Sequence, residues 1–233
     1  NDWLNGNSDL DFIGGGAGED TLFGEQGNDT LQGNAGDDYL FGNHDADLME
    51  GNEGNDLLYG GKGNDTVSGN DGDDEVLGDL GDDILLGNAG NDLIQGGEGN
   101  DTLMGGLDND ELIGDSGNDI LIGVELDASR PGEGEIDTLQ GGEGSDTFML
   151  GDNLQAFYMS SGSGDYALIL DFTTGEDRIQ LSGHLGDYQL GVAPEGLPQG
   201  AALYQTDGDR DELIAVIQGT SLPSLEDGDF NFV

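Results

Sequence analysis

Gly96-Gly97-Glu98-Gly99-Asn100-Asp101-Thr102-Leu103-Met104 is one copy of a nine-residue unit, and the residues on either side repeat it. Outward from this copy, glycine stands at every ninth residue from Gly6 to Gly141, sixteen units without a slip of register. Asp follows five residues after that glycine in fifteen of the sixteen, and a large apolar residue follows seven after it, again in fifteen. So strict a period over so many copies predicts a solenoid of stacked turns.

Each position of the unit has a local reason. With the periodic glycine as position one, position two is Gly, Asn or Asp in thirteen units, the residue types that tolerate positive φ. Position four is Gly eleven times and Asp three times (Asp9, Asp45, Asp108), so the first half of the unit reads as a tight turn. Positions seven to nine read as a short strand. Alternation turns the middle residue inward (Leu22, Leu31, Leu40, Met49, Leu58, Val67, Val76, Leu85) and its polar neighbours outward. Two units then make one coil, and every second Asp stacks on the same side, eighteen residues apart. One row is Asp11, Asp29, Asp47, Asp65, Asp83, Asp101, Asp119 and Asp137. The other is Asp2, Asp20, Asp38, Asp56, Asp74, Asp92, Asp110 and, after a gap, Asp146.

Coils in a parallel sheet lie about 4.8 Å apart, and carboxylates stacked at that spacing repel one another. The composition offers no relief, with 51 acidic residues against 4 basic ones and a net charge of −47. A cation between the rungs is therefore required. The turns present only oxygen, from carboxylates and carbonyls, with no His or Cys at a recurring position, which argues against zinc, copper and iron–sulfur. Calcium accepts six to eight oxygens in flexible geometry, whereas magnesium keeps its waters in a strict octahedron, so Ca2+ is the expected ion. The gaps along the rows predict about thirteen sites. A single file of apolar residues is too thin a core to offset the ordering of so many turn residues, so folding is expected to depend on the metal.

The same charge makes nucleic acid and anionic membranes poor partners. The 46 glycines and the acidity would also suit a disordered chain, and disorder is expected without the cation. There is no cysteine, and no apolar run approaches the roughly 18 residues that span a bilayer. No Sec-type signal is visible. Asp2 and Leu4 already hold positions six and eight of an earlier unit, so the chain reads as a piece of a longer protein.

Residues 2–149 resemble an RTX, or haemolysin-type, β-roll, as in serralysin-type proteases, secreted lipases, haemolysins and many bacterial surface proteins. The resemblance implies an all-β, right-handed parallel β-roll (a β-solenoid) over residues 1–150, with a C-terminal β-rich cap over 151–233. It implies that each ion takes the position-six Asp of two stacked turns. To these it adds turn carbonyls, carried here onto Gly15, Gly24, Gly33, Gly42, Gly51, Gly60, Gly69, Gly78, Gly87, Gly96, Gly105 and Gly114. One unit departs, Gly123-Val124-Glu125-Leu126-Asp127-Ala128-Ser129-Arg130-Pro131, in which Ala128 replaces the ligand and Arg130 the inward residue. An outward loop is predicted there, with loss of the sites that would join Asp110 to Asp146 and Asp127 as a substitute ligand at most. Glu135, at the turn-glycine position of the next unit, puts that unit's site in doubt too.

Beyond Gly151 the period stops. Runs at 166–172, 178–181, 201–204 and 212–217, parted by Gly, Pro and Asp, predict strands that close the solenoid's end. Asp171-Phe172-Thr173-Thr174-Gly175-Glu176-Asp177-Arg178-Ile179 is similar to the stretch after the repeats in serralysin-type C-terminal domains. Asp229-Phe230-Asn231-Phe232-Val233 resembles the ending read by type I secretion machinery. The resemblance thus implies a secreted or cell-surface protein that leaves the cell unfolded and folds outside on calcium.

Other signals have plain explanations. Asn-Asp-Thr at Asn28, Asn64 and Asn100 matches a glycosylation acceptor but is generated by the repeat. His44 and His184 read as solvated surface residues, and Asp207–Asp211 as an exposed hairpin turn that lacks the Gly and Glu of an EF-hand. Trp3 occupies an outward strand position. No zinc-protease motif, nucleophile elbow or phosphate loop occurs, so no enzyme and a monomer are expected. Two functions fit: a calcium-binding folding and secretion module of a larger exoprotein, or a surface or matrix adhesin of S-layer type.

Overall fold

The computed structural model describes residues 1–126, 128–129, 131–159, 164–207, 210–219, 224–225 and 228–233. Two long sheets face each other, and successive strands alternate between them. Among the described residues one has twelve strands and the other ten. From Trp3–Ser8 in the first sheet and Phe12–Ala17 in the second, each repeat strand pairs in parallel with the strand eighteen residues on, as in Trp3↔Thr21 and Phe12↔Thr30. This is a parallel β-solenoid with two nonapeptides per coil.

The strands are longer than positions seven to nine. Thr30–Ala35, for example, runs through position three of the following unit. Position two lies inside the strand with a left-handed backbone, as at Asn34 (φ 84°), Asn52 (φ 86°) and Asp79 (φ 74°). Position eight forms the core: Leu22, Leu31, Leu40, Met49, Leu58 and the corresponding residues as far as Phe148 are fully buried. The interior is one side chain wide from each sheet, as the thin apolar stripe requires.

The irregular unit leaves the coil at Val124, the last residue of strand Ile120–Val124. Val124 is not among the residues with positive φ. A β-branched side chain at position two cannot take the left-handed turn that Asn and Gly take there, so the chain departs outward. It rejoins in Ile136–Glu143, and the pairing offset becomes twenty-seven: Glu111↔Thr138 and Ile120↔Thr147. One whole unit is skipped. Asp127 and Arg130 lie outside the described residues.

Neither sheet breaks at residue 150. Tyr166–Phe172 pairs in parallel with Ile136–Glu143, and Arg210–Gly219 pairs in parallel with Tyr166–Phe172. Ala201–Asp207 and Tyr188–Val192 then close the first sheet in antiparallel fashion. The second sheet continues through Thr147–Met149, Arg178–Leu181 and Phe230–Phe232. The 207–211 segment is a hairpin whose strands pair as far as Asp207↔Arg210; Gly208 and Asp209 lie outside the described residues. Among the described residues the only helix is the 3-10 turn Leu185–Asp187, and none is long and apolar enough to cross a membrane.

On the outer face of the first sheet, Trp3, Phe23, Phe41 and Tyr59 stack in a file, with ring centroids 4.9, 5.0 and 5.3 Å apart. Trp3 therefore packs on the next coil of this chain.

Candidate metal centre

The position-six aspartates are placed by the turn that follows each strand. Their backbone carbonyls accept the first amide of the strand one coil on, as in Thr30 N–H to Asp11 O at 2.9 Å. Their side chains fold back under the turn. From Asp11 to Asp146 each Asp N–H except that of Asp137 donates to Oδ1 of the next Asp in its row, at 2.7–3.0 Å. The result is two ladders of carboxylates, one along each edge of the solenoid.

Membership of the rows corrects the sequence expectation. Asp110 donates to Asp137 at 3.0 Å, and Asp119 to Asp146 at 2.9 Å. Skipping one unit exchanges the two rows. Asp137 therefore ends the row that contains Asp20 and Asp110, while Asp146 continues the row that contains Asp29 and Asp119. The rung expected to vanish after Asp110 is present, with Asp137 in place of Asp146. We call these the Asp20 row and the Asp29 row.

The second carboxylate oxygen is the informative one. In thirteen repeat aspartates, Asp20 through Asp119 and Asp146, Oδ2 is buried with no hydrogen-bond partner. A buried bare carboxylate oxygen is costly, and a column of them is far more so. Each lies in a small cradle. A methyl built on Gly24 would fall 2.6 Å from Asp29 Oδ2 and 3.0 Å from the Gly42 carbonyl oxygen. A side chain at position one would fill the space between carboxylate and carbonyl; glycine keeps it open.

The expected carbonyls of Gly24, Gly33, Gly42, Gly51, Gly60, Gly69, Gly78, Gly96 and Gly114 face such cradles from the next coil, as do those of Gly123 and Gly141. Asp2 is exposed and Asp11 half-buried in the first coil. The donor set is hard oxygen throughout: two carboxylates and backbone carbonyls per interval. That set fits Ca2+.

Electrostatics agree. Burial, opposed by the amide from the preceding coil, pushes Asp74 and Asp83 up to about 7 and Asp65 and Asp92 up to about 6. Asp110 rises to about 9; burial leads, and the charges of Asp137, Asp92 and Glu135 add to it. Glu135 reaches back to accept Asp108 N–H at 3.2 Å, so the position-four substitution adds a carboxylate beside that rung. Without a counter-cation these groups resist ionisation.

Four residues of the region lie outside the repeat pattern. Asp177 extends the Asp29 row by accepting Asp146 N–H at 3.0 Å, although Phe172 replaces its position-one glycine. Asp229 is 3% exposed with Oδ2 bare, and its Oδ1 accepts Gly175 N–H at 2.9 Å. Asp171 binds the Gly141 and Gly142 amides at 3.0 and 2.9 Å. Tyr158 donates its hydroxyl to Asp137. Only Asp177, followed by the alternating Arg-Ile-Gln-Leu, carries a sequence signal of the repeat kind.

The family model for the RTX calcium-binding nonapeptide repeat matches residues 1–31, 23–58, 50–85, 86–121 and 132–153, leaving out the whole of the unit Gly123–Pro131. The chain belongs to this family. RTX repeats bind calcium, and the bare oxygens of this β-roll are of the hard kind that calcium takes. Among solved structures the chain is similar to the AlgE6R3 subunit of the Azotobacter vinelandii mannuronan C5-epimerase, with 28% identity and a TM-score of 0.37, over 64% of this chain and 71% of that one. It is also similar to the extracellular lipase LipA of Serratia marcescens, with 18% identity and a TM-score of 0.20, over 91% of this chain but 38% of the lipase. A search of curated proteins finds no match.

Proposed function

We propose that this RTX chain is a folding module of a secreted bacterial protein, driven from a disordered to a rod-like state by about a dozen Ca2+ ions. The reading rests on one observation: thirteen buried carboxylate oxygens without a partner, arranged in two columns against open carbonyl cradles. Aspartates and glycine carbonyls of successive coils would hold the ions, which supply the positive charge that lets the coils stack. The chain's own residues do the rest. The Asp amide-to-carboxylate rungs fix the spacing, position-one glycines keep the cradles open, and the apolar file gives the two sheets a common interior.

At low intracellular calcium the net charge of −47 keeps the chain extended and suited to export. Outside, calcium on the order of millimolar saturates even weak sites and folds it. Type I secretion machinery is the partner this route requires. Any catalytic activity would belong to other parts of a larger protein; the role of this chain is binding and folding.

Far-ultraviolet dichroism during a calcium titration of the chelated chain is the direct test. A steep, cooperative gain of β-signal with calcium, and a much weaker one with magnesium, is expected. Full β-structure in chelator would overturn the proposal.

A further inference from the structure

The Asp20 row ends differently from the way it runs. Asp137 accepts the Asp110 amide on Oδ1 as every earlier member does, but its Oδ2 accepts the Tyr158 hydroxyl at 2.5 Å. At Gly24 a built methyl meets the Asp carboxylate and the next coil's glycine carbonyl. At Gly123, which serves as position one for Asp137, it meets the Asp137 carboxylate and the Tyr158 hydroxyl instead. The hydroxyl thus sits in the cradle that is open at the other rungs.

The seat for this tyrosine is built. Tyr158 is fully buried, and its backbone is left-handed (φ 56°), an unfavourable state for a bulky residue that only strong local support maintains. Its N–H donates to the Pro131 carbonyl at 2.8 Å. Its ring lies on Gly132, where any Cβ would come within 2.6 Å of Cδ1. Both supports come from the end of the skipped unit and its return. In the coil beyond, Ala167 stands at the position paired with Asp137, where the row would place its next Asp. A divalent ion at this rung would lack the row's second carboxylate.

We propose that Tyr158 terminates the Asp20 row, its hydroxyl proton taking the place that a cation takes at the preceding rungs. This rests on the calcium reading above. A short hydrogen bond to a buried carboxylate is among the stronger neutral-donor interactions, and it satisfies the final charge without an ion. The other row ends by the same logic: Asp177 receives the Asp146 amide on Oδ1 and the Thr173 amide on Oδ2, at 3.0 and 2.7 Å. Each column of ions therefore closes on a protein donor.

The test compares the full chain with Tyr158→Phe, counting bound calcium by native mass spectrometry and measuring the melting temperature in saturating calcium. The variant should lose no ion and melt about 5 °C lower, because a buried carboxylate has lost its donor. A variant that gains one ion with a restored melting temperature also supports the proposal, since the proton was holding an ion's place. Loss of one ion would make the hydroxyl a metal ligand and overturn it. An unchanged count with unchanged melting would reduce Tyr158 to a space-filler and also overturn it. If Tyr158→Phe does not fold, Asp137→Asn/Tyr158→Phe decides: recovery of folding supports the role and continued failure ends it. An unmutated chain that binds no calcium would sink the calcium reading itself, a result distinct from all of these.

Discussion

At the scale of single residues, the position-one glycine and the position-six aspartate divide the work. Alanine at Gly60 would put a methyl 2.5 Å from Asp65 Oδ2 and 3.0 Å from the Gly78 carbonyl oxygen. That carbonyl belongs to a strand fixed on both sides, so it cannot retreat cheaply. Gly60→Ala should cost about 2 kcal/mol and raise the calcium midpoint of folding, whereas Gly186→Ala, with nothing within 4 Å, should change neither. Equal melting temperatures for the two variants would contradict the cradle. Asp65 lies between Asp47 and Asp83 in its row: its Oδ1 accepts the Asp47 amide, and its own amide donates to the Asp83 carboxylate. Asp65→Asn is therefore expected to lower bound calcium by one or two ions per chain. A full complement in elemental analysis would remove Asp65 from the ligand set.

At the scale of elements, the skipped unit shows what the solenoid tolerates. An outward loop of nine residues keeps both the strand face and the side of the coil in phase. It only exchanges which edge each later Asp joins. Deletion of residues 124–132 should therefore preserve the calcium-induced dichroism of the roll. It should still lower the melting temperature as Tyr158→Phe does, because Pro131 and Gly132 are lost with it. Deletion of Gly90 alone is a different perturbation. A one-residue slip sends every later position-eight side chain to the opposite face, and most of the calcium-induced β-signal should disappear. If the nine-residue deletion proves as damaging as the single one, the loop is part of the coil and the register account fails.

For the molecule as a whole, charge sets the conditions under which a folded state exists. Asp65, Asp74 and Asp83 have folded values of about 6 to 7, and Asp110 about 9, against 3.8 for the free group. A raised carboxylate favours the protonated folded form. Its stabilising contribution is complete below about pH 4 and is lost as the pH climbs through the folded values. The chelated chain should accordingly gain β-structure on acidification from pH 8 toward pH 4. With calcium present the trend reverses, because protons compete for the same oxygens, and the calcium midpoint should be higher at pH 5 than at pH 7.5. Dichroism across both series checks the pair of signs. A chelated chain equally unfolded at pH 4 and pH 8 would show that burial of these groups does not limit folding.

The sequence alone determined the coil, because a nine-residue period with one apolar position and one Asp leaves a single way to turn every Leu inward and every second Asp to the same edge. Local chemistry was legible in the same way: Asn and Gly at position two mark the left-handed backbone, and the all-oxygen repertoire marks a hard cation. Tertiary structure decided what depends on a chain leaving and re-entering its own lattice. That Asp137 joins Asp110 and Asp146 joins Asp119 follows from where the skipped unit rejoins, and spacing counted along the chain assigns them the other way round. Tyr158 and Asp229 lie in segments with no period, so only packing brings Tyr158 to the end of a carboxylate row and Asp229 to the Gly175 amide. A repeat fixes its neighbours by symmetry, and where the symmetry ends, burial and hydrogen bonding between distant segments choose the partners.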